Sequence, residues 1–393
     1  MKKKAWGLIF FVILTLGSSV VISKNVEDTL IKSISIVSAI GIDSSNEGYE
    51  VTLQMINTAA KPDSAGEVPG SIIYQQSGRT ISQAVKNILN RNPKKIFLDS
   101  AELIVIGEQT AREQGIHEIL TLFLTESEIS SSIRIMVTKD YPASKIIKTI
   151  TPAEKVSSKR INDIVHSNEL NLGSVASVYP VKVMNDLLIN IKATALPYVT
   201  LSSDQDIGSS QENISSPEPE VLLILNGMAY FKKDKLAGYL TRDESKIFLG
   251  FTNNTKKATI ETKCGAADDQ GFFTVHIKKS KTSVKPVYKN GMVSFQVERK
   301  MKGELFESTC RQDDLPYLES RAEAVLKSEM VGLIAKSQEE NNDFLGFLKE
   351  VYLRNPYKFE EINKKWKELY PEVPVEVEVD LEIEDIGDVN RIP

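Results

Sequence analysis

The sequence predicts an α+β protein of several domains, with mixed β-sheets, helices packed on them, and one N-terminal apolar membrane segment in front. Three observations carry this. Apolar residues recur with period 2 in some stretches and at i, i+3, i+4 in others, and the two patterns interleave. A polar stretch at 202–219 divides two such regions. Ahead of both, Lys2, Lys3 and Lys4 precede an uncharged run that extends from Ala5 to Ile22. A chain of 393 residues holds two or three cores. Its 41% hydrophobic and 26% charged residues are those of an ordinary folded protein.

The leading run reads as a signal or membrane anchor, residues 1–24. A positive cap before such a run keeps the lysines cytoplasmic and delivers the downstream chain outside. At roughly 18 residues it is at the short end of what spans a bilayer. Val21 and Ser23 suit cleavage after Ser23, but an uncleaved helical tether is the preferred reading. No cysteine lies near Gly17, so a thioether-linked lipid cannot form there.

Residues 25–150 read as an N-terminal α/β domain. Ile34 to Ile42 and Tyr49 to Met55 make a hairpin, and Ile72-Ile73-Tyr74 starts a third strand. Thr80 and Gln83 form a capping box for a helix with Ile81, Ala84, Val85, Ile88 and Leu89 on one stripe. Pro93 ends it. Leu103-Ile104-Val105-Ile106 has the composition of a central strand covered on both faces. A helix follows with Ile116, Ile119, Leu120 and Phe123, then a strand with Ile133, Ile135 and Val137, then a helix opened by Pro142.

Residues 151–201 read as a helical connecting subdomain, and 202–219 as a solvated linker and the main boundary. Residues 220–387 form the C-terminal α+β domain. It starts with strands at 221–225 and 228–231, and Thr241 with Glu244 caps a helix. Strands at 258–264, 272–277, 284–287 and 292–297 come next. The longest amphipathic helix carries Leu318, Ala322, Leu326, Met330 and Leu333. The last strand sets Val375, Val377, Val379 and Leu381 against Glu376, Glu378, Asp380 and Glu382, a row of acids that keeps a sheet surface in water.

Chemistry is sparse. The net charge of −5 and the scattered Lys and Arg argue against nucleic acid. His117, His166 and His276 are isolated, without acids or cysteines at metal-ligand spacing, so no metal or other cofactor is expected. No G-x-S-x-G elbow, C-x-x-C pair or phosphate loop occurs, and the expectation is not an enzyme. Cys264 and Cys310 are either a disulfide stapling two neighbouring strands or two buried thiols. Arg91, Lys94 and Lys95 beside Pro93 form a solvated loop or a contact for anionic headgroups or an acidic partner.

Several stretches together resemble the Ger(x)C family of spore germination proteins, the C subunits of nutrient germinant receptors. They are the run 36–43 ending in Gly41-Ile42-Asp43 with 49–54, and Arg91-Asn92-Pro93-Lys94-Lys95 with 102–108. Residues 227–240 with Glu244 and Ser245 continue the likeness, as do Gln338, Asp343, Phe344, Gly346, Phe347, Pro356 and Trp366. The likeness runs from about 30 to 387, in an order and spacing no single stretch would supply. It implies a non-enzymatic subunit on the outer face of the spore inner membrane, assembling with A- and B-type integral membrane subunits to trigger germination. Family members carry a lipobox cysteine followed by Trp-Asp after the apolar run. Gly17-Ser18-Ser19 lacks it, which removes the lipid anchor from the expectation but not the compartment. The alternative is an exported solute-binding protein that captures a small ligand between two lobes.

Overall fold

The computed structural model describes residues 33–57, 69–125, 129–152, 154–189, 191, 193–265, 270–311 and 314–386. The anchor expected at 1–24 lies outside them. No helix among the described residues is long and apolar enough to cross a membrane.

β1 (Ile34–Ser45) and β2 (Gly48–Ile56) form the hairpin, and β3 (Ser71–Gly78) pairs with β2. At the start of α1 (Ile81–Ile88), Gln83 N donates to Thr80 Oγ1 at 3.1 Å. The return bond of the expected box runs from Arg79 N to Gln83 Oε1 at 3.1 Å, so the box closes one residue early. β4 (Lys95–Phe97) and β5 (Leu103–Ile106) both pair in parallel with β1. The short α2 (Glu108–Glu113) has no apolar stripe and precedes α3 (His117–Thr125), which buries Ile119, Leu120 and Phe123. β6 (Arg134–Thr138), α4 (Ala143–Lys148), α5 (Ser157–Asn171) and α6 (Pro180–Ile189) follow.

The end of the stretch expected as helical is a strand, β7 (Ala195–Leu201). Pro197 is tolerated because β6 pairs only with Tyr198 and Val199, beyond the proline. β8 (Leu223–Lys232) and β9 (Lys235–Tyr239) complete a nine-stranded sheet among the described residues, in the order β3-β2-β1-β5-β6-β7-β8-β9, with β4 beside β1. Its four central strands β1, β5, β6 and β7 are parallel, and antiparallel strands close both sides. Ile40, Ile42, Ile104, Ile106 and Ile135 meet α1, α3 and α6 on one face. Ala39, Leu103, Val105 and Met136 meet α4 and α5 on the other. Strands buried on both faces read as unbroken apolar runs, which is why β5 was plain in the sequence.

The stretch 202–219 does not separate one sheet from the other. β7 and β8 pair across it from Ala195 with Tyr230 to Leu201 with Leu223, so strands expected in the C-terminal domain extend the first sheet. The connection is held rather than solvated throughout. Asn213 is buried, donates to Ile150 O and Val221 O at 3.0 and 2.9 Å, and accepts from Val221 N at 3.0 Å.

α7 (Arg242–Phe251) opens on the full Thr241/Glu244 capping box and packs against β8. The second sheet has the order β10 (Ala258–Lys263), β11 (Phe272–Lys289), β12 (Met292–Ser308), β13 (Val375–Ile386). β11 and β12 are single long strands where shorter pieces were expected, joined at Asn290 and Gly291 with φ of 50° and 78°. Two successive positive φ values make the tight hairpin turn whose twist suits its strands. α8 (Leu315–Glu339) covers the apolar face with Leu318, Ala322, Leu326 and Met330; α9 (Phe347–Arg354) and α10 (Pro356–Leu369) finish the core. On the open face the acidic row of β13 meets lysines of β12, with Lys302 Nζ 2.8 Å from Glu382.

Candidate functional site

In sheets with a parallel centre, ligands bind at the carboxyl ends of the strands, where helix N-termini offer unpaired N–H groups. Here those ends are Asp43 of β1, Gly107 after β5 and Thr138 of β6. The place is filled by the chain itself. The buried Asp43 carboxylate accepts from Ala143 N at 2.7 Å and Ser144 N at 2.9 Å, the first turn of α4. A Cβ at position 107 would overlap Asp43 Oδ1, so a glycine is required there. Burial raises the Asp43 carboxyl above its ordinary value despite the two N–H donors. Thr138 Oγ1 accepts from Glu108 N at 2.9 Å, and Glu108 Oε2 accepts from Asp140 N at 2.8 Å.

Beside this plug, Tyr198 and Tyr239 meet edge to face at 5.0 Å. Lys139 Nζ lies 5.8 and 5.4 Å from their ring centres, and the Arg112 guanidinium lies 5.5 Å from that of Tyr239. Tyr239 OH donates to Thr138 O at 2.8 Å. Burial pushes the Tyr239 phenol far above its ordinary value, so it stays neutral. A neutral phenol donating to a backbone carbonyl holds β9 to β6; it is no nucleophile.

Two grooves remain. One, of about 820 Å³, runs along β3 and is lined by Tyr74, Gln75, Arg91, Lys148 and Lys155. Gln75 spans it, donating to Glu50 Oε2 and accepting from Lys148 Nζ, each at 2.5 Å. The other, of about 370 Å³, lies between α1 and α3 and is apolar.

The residues singled out from sequence are divided between these places. Arg91 lines the first groove and Lys95 the second. Lys94 lies between them, half-buried, on a turn held by the buried Asn92, which donates to Ser35 Oγ at 2.9 Å. Cys264 and Cys310 are joined in a disulfide with Cα atoms 5.7 Å apart. The strands it ties are not neighbours as expected: β10 and β12 flank β11. His117 and His166 are exposed, and His276 stacks on Phe306 at 4.3 Å. No group of three or more His, Cys, Asp or Glu among the described residues could hold a metal ion. Sequence reading gave Asp43 a strand end but no role; its partners are 100 and 101 positions away.

The family model described as "Spore germination protein N-terminal domain" matches residues 27–201. The one described as "Spore germination B3/ GerAC like, C-terminal" matches residues 226–387. Spore germination protein KC of Bacillus subtilis (strain 168) is 26% identical over 370 residues, covering 90% of each chain. Spore germination protein B3 of the same organism is 23% identical and covers 92% of this chain and 93% of its own. The crystal structure of the GerBC protein has the same fold, with a TM-score of 0.56, 19% identity, and coverage of 88% of this chain and 96% of that one. Matched in both halves and along nearly its whole length, the chain belongs to the Ger(x)C family of spore germination proteins.

Proposed function

We propose that the chain is a non-enzymatic C-type subunit of a spore nutrient germinant receptor, working on the extracytoplasmic face of the spore inner membrane with A- and B-type integral membrane subunits. The observation that carries the reading is the end-to-end match to spore germination proteins, 90% of this chain against 90% of protein KC. The filled strand-end crevice supports it. Where an α/β sheet would take an anionic ligand, Asp43 already supplies the anion. Pull-down of the full chain from spore membranes, followed by mass spectrometry, tests the assembly. Recovery of integral A- and B-type subunits is the expected outcome, and their absence overturns it.

The reading as a solute-binding protein has one observation in its favour. The groove along β3 has the volume of a small-molecule site and a polar lining. Calorimetry of the purified protein against amino acids, sugars and nucleosides separates the two. Heat of binding from any of these, lost in Lys148→Ala, would favour direct capture.

A further inference from the structure

The apolar groove between α1 and α3 is walled by Ile81, Val85, Leu89, Ile96, Leu122 and Phe123. Leu89 on its wall leaves 49% of its surface in water, and Phe97 and Leu124, next in the chain to the wall residues Ile96 and Phe123, leave 38 and 39%. Its rim is basic on one side. From Lys86 to Leu98 the chain carries Lys86, Arg91, Lys94 and Lys95 and no acid. Lys86 and Lys95 line the groove itself. β4, part of this rim, pairs with the first three residues of β1, so the chain enters the fold here. From Ile22, the end of the apolar run, to Ile34 is twelve residues. Extended, they reach at most about 40 Å.

We propose that the face made by α1 and β4 rests on an anionic lipid bilayer. Leu89, Phe97 and Leu124 enter the headgroup layer, and Lys86, Arg91, Lys94 and Lys95 meet lipid phosphates. The proposal rests on the reading of the chain as a membrane-tethered subunit. Apolar side chains bordered by cations suit a surface offering an apolar layer beneath a layer of negative charge. A partner helix would have to bring acids to the same rim, whereas on that reading the tether would hold this end of the fold near the bilayer.

The test uses the full chain with one environment-sensitive label, at Asn90→Cys or at Met292→Cys on the β11–β12 hairpin. Each protein is bound to phosphatidylglycerol or phosphatidylcholine vesicles that contain a spin-labelled quenching lipid. Asn90 is expected to be quenched on phosphatidylglycerol and not on phosphatidylcholine, and Met292 on neither. Lys86→Ala should lower the ratio of quenched to unquenched label about fivefold, with an unchanged melting temperature.

Flotation of the vesicles is measured in the same samples. Protein that floats with an unquenched Asn90 label sinks this face and leaves the tether standing. Protein that does not float removes both. A label quenched equally by both lipids overturns the role of the cations. An Asn90 label silent on lipid but buried on co-reconstitution with integral subunits, or at high protein concentration alone, assigns the face to a protein partner or a second copy instead.

Discussion

Arg299 is 2% exposed on β12, and its guanidinium presses on the backbone of Gly250 in α7, where an added Cβ would overlap Nη2. Nε donates to Ser280 Oγ at 3.3 Å, while Nη1 has no hydrogen-bond partner. Burial pulls its pKa down to about 10, with Glu329 acting in the opposite sense. Gly250→Ala should gain about 1 kcal/mol of helix propensity. The overlap with the guanidinium of an arginine this deeply buried is the larger effect, and a net loss of about 1–3 kcal/mol is expected in urea unfolding. Arg299→Met removes the charge at similar volume and should be neutral or stabilising by roughly 1–4 kcal/mol. In that background Gly250→Ala should cost less, and a double-mutant cycle that shows simple additivity would refute the contact. Asp43 is the opposite case, a buried charge fully used. Asp43→Ala strands two buried N–H groups and should cost about 2–4 kcal/mol. Neither residue announces its role in the sequence, because the partners that define it are brought by other elements.

Elements were legible in proportion to their length and to whether their signals were local. The Thr241/Glu244 box was readable because both partners are three residues apart, and β5 because four apolar residues in a row need cover on both faces. β4 and α2, at three and six residues, are too short to show a period. The Asn290-Gly291 dipeptide was a legible turn signal that would have joined β11 and β12 into one hairpin. What no pattern shows is how edges are protected. β13 ends the second sheet, and two of its outward N–H groups are taken by α8, Leu381 N by Glu323 Oε1 at 2.9 Å and Ile383 N by Glu319 Oε1 at 2.8 Å. Glu319→Ala with Glu323→Ala uncovers that edge and should raise self-association, read by light scattering across a concentration series. At the other end of the sheet the disulfide closes 46 positions of chain. Cys264→Ser with Cys310→Ser should lower stability by up to about 4 kcal/mol on the chain-entropy account. A change well below 1 kcal/mol would mean the strands hold that end without it.

At the scale of the whole molecule, the question is whether the two sheets fold separately, as a boundary at 202–219 would imply. The family models stop at 201 and resume at 226, on either side of that stretch. The hydrogen bonds argue for one unit. α7 packs on both β8 and β11. Tyr230 OH of β8 donates to Glu340 Oε1 at 2.6 Å, and Asn342 Nδ2 reaches Phe231 O at 3.3 Å. Glu169 of α5 accepts from Lys256 Nζ and from Ser177 N, each at 2.5 Å. Burial alone would raise the Glu169 carboxyl; the ammonium and the N–H overcome it and hold it below its ordinary value of 4.5. A carboxyl held low in the folded state contributes stability that is complete above the unfolded-state value and is lost as pH falls through the folded one. Lys256→Met should therefore lower the melting temperature at pH 7, with the deficit shrinking as pH drops below about 4. Cutting the chain tests the same link more directly. A fragment ending at 201 loses the seven β7–β8 pairs from 195–201 and the cover of α7, leaving Leu196 and Tyr198 without their neighbours. Expressed alone, residues 25–201 and 220–393 should each be insoluble or lack a cooperative transition. Expressed together they should re-form one particle that melts in a single step, below the melting temperature of the intact chain because the Asn213 bonds to Ile150 and Val221 go with 202–219. Two independently soluble fragments, each with its own sharp melt, would show that the first sheet tolerates the loss of β8 and β9, and that the boundary read from composition is also a boundary in folding.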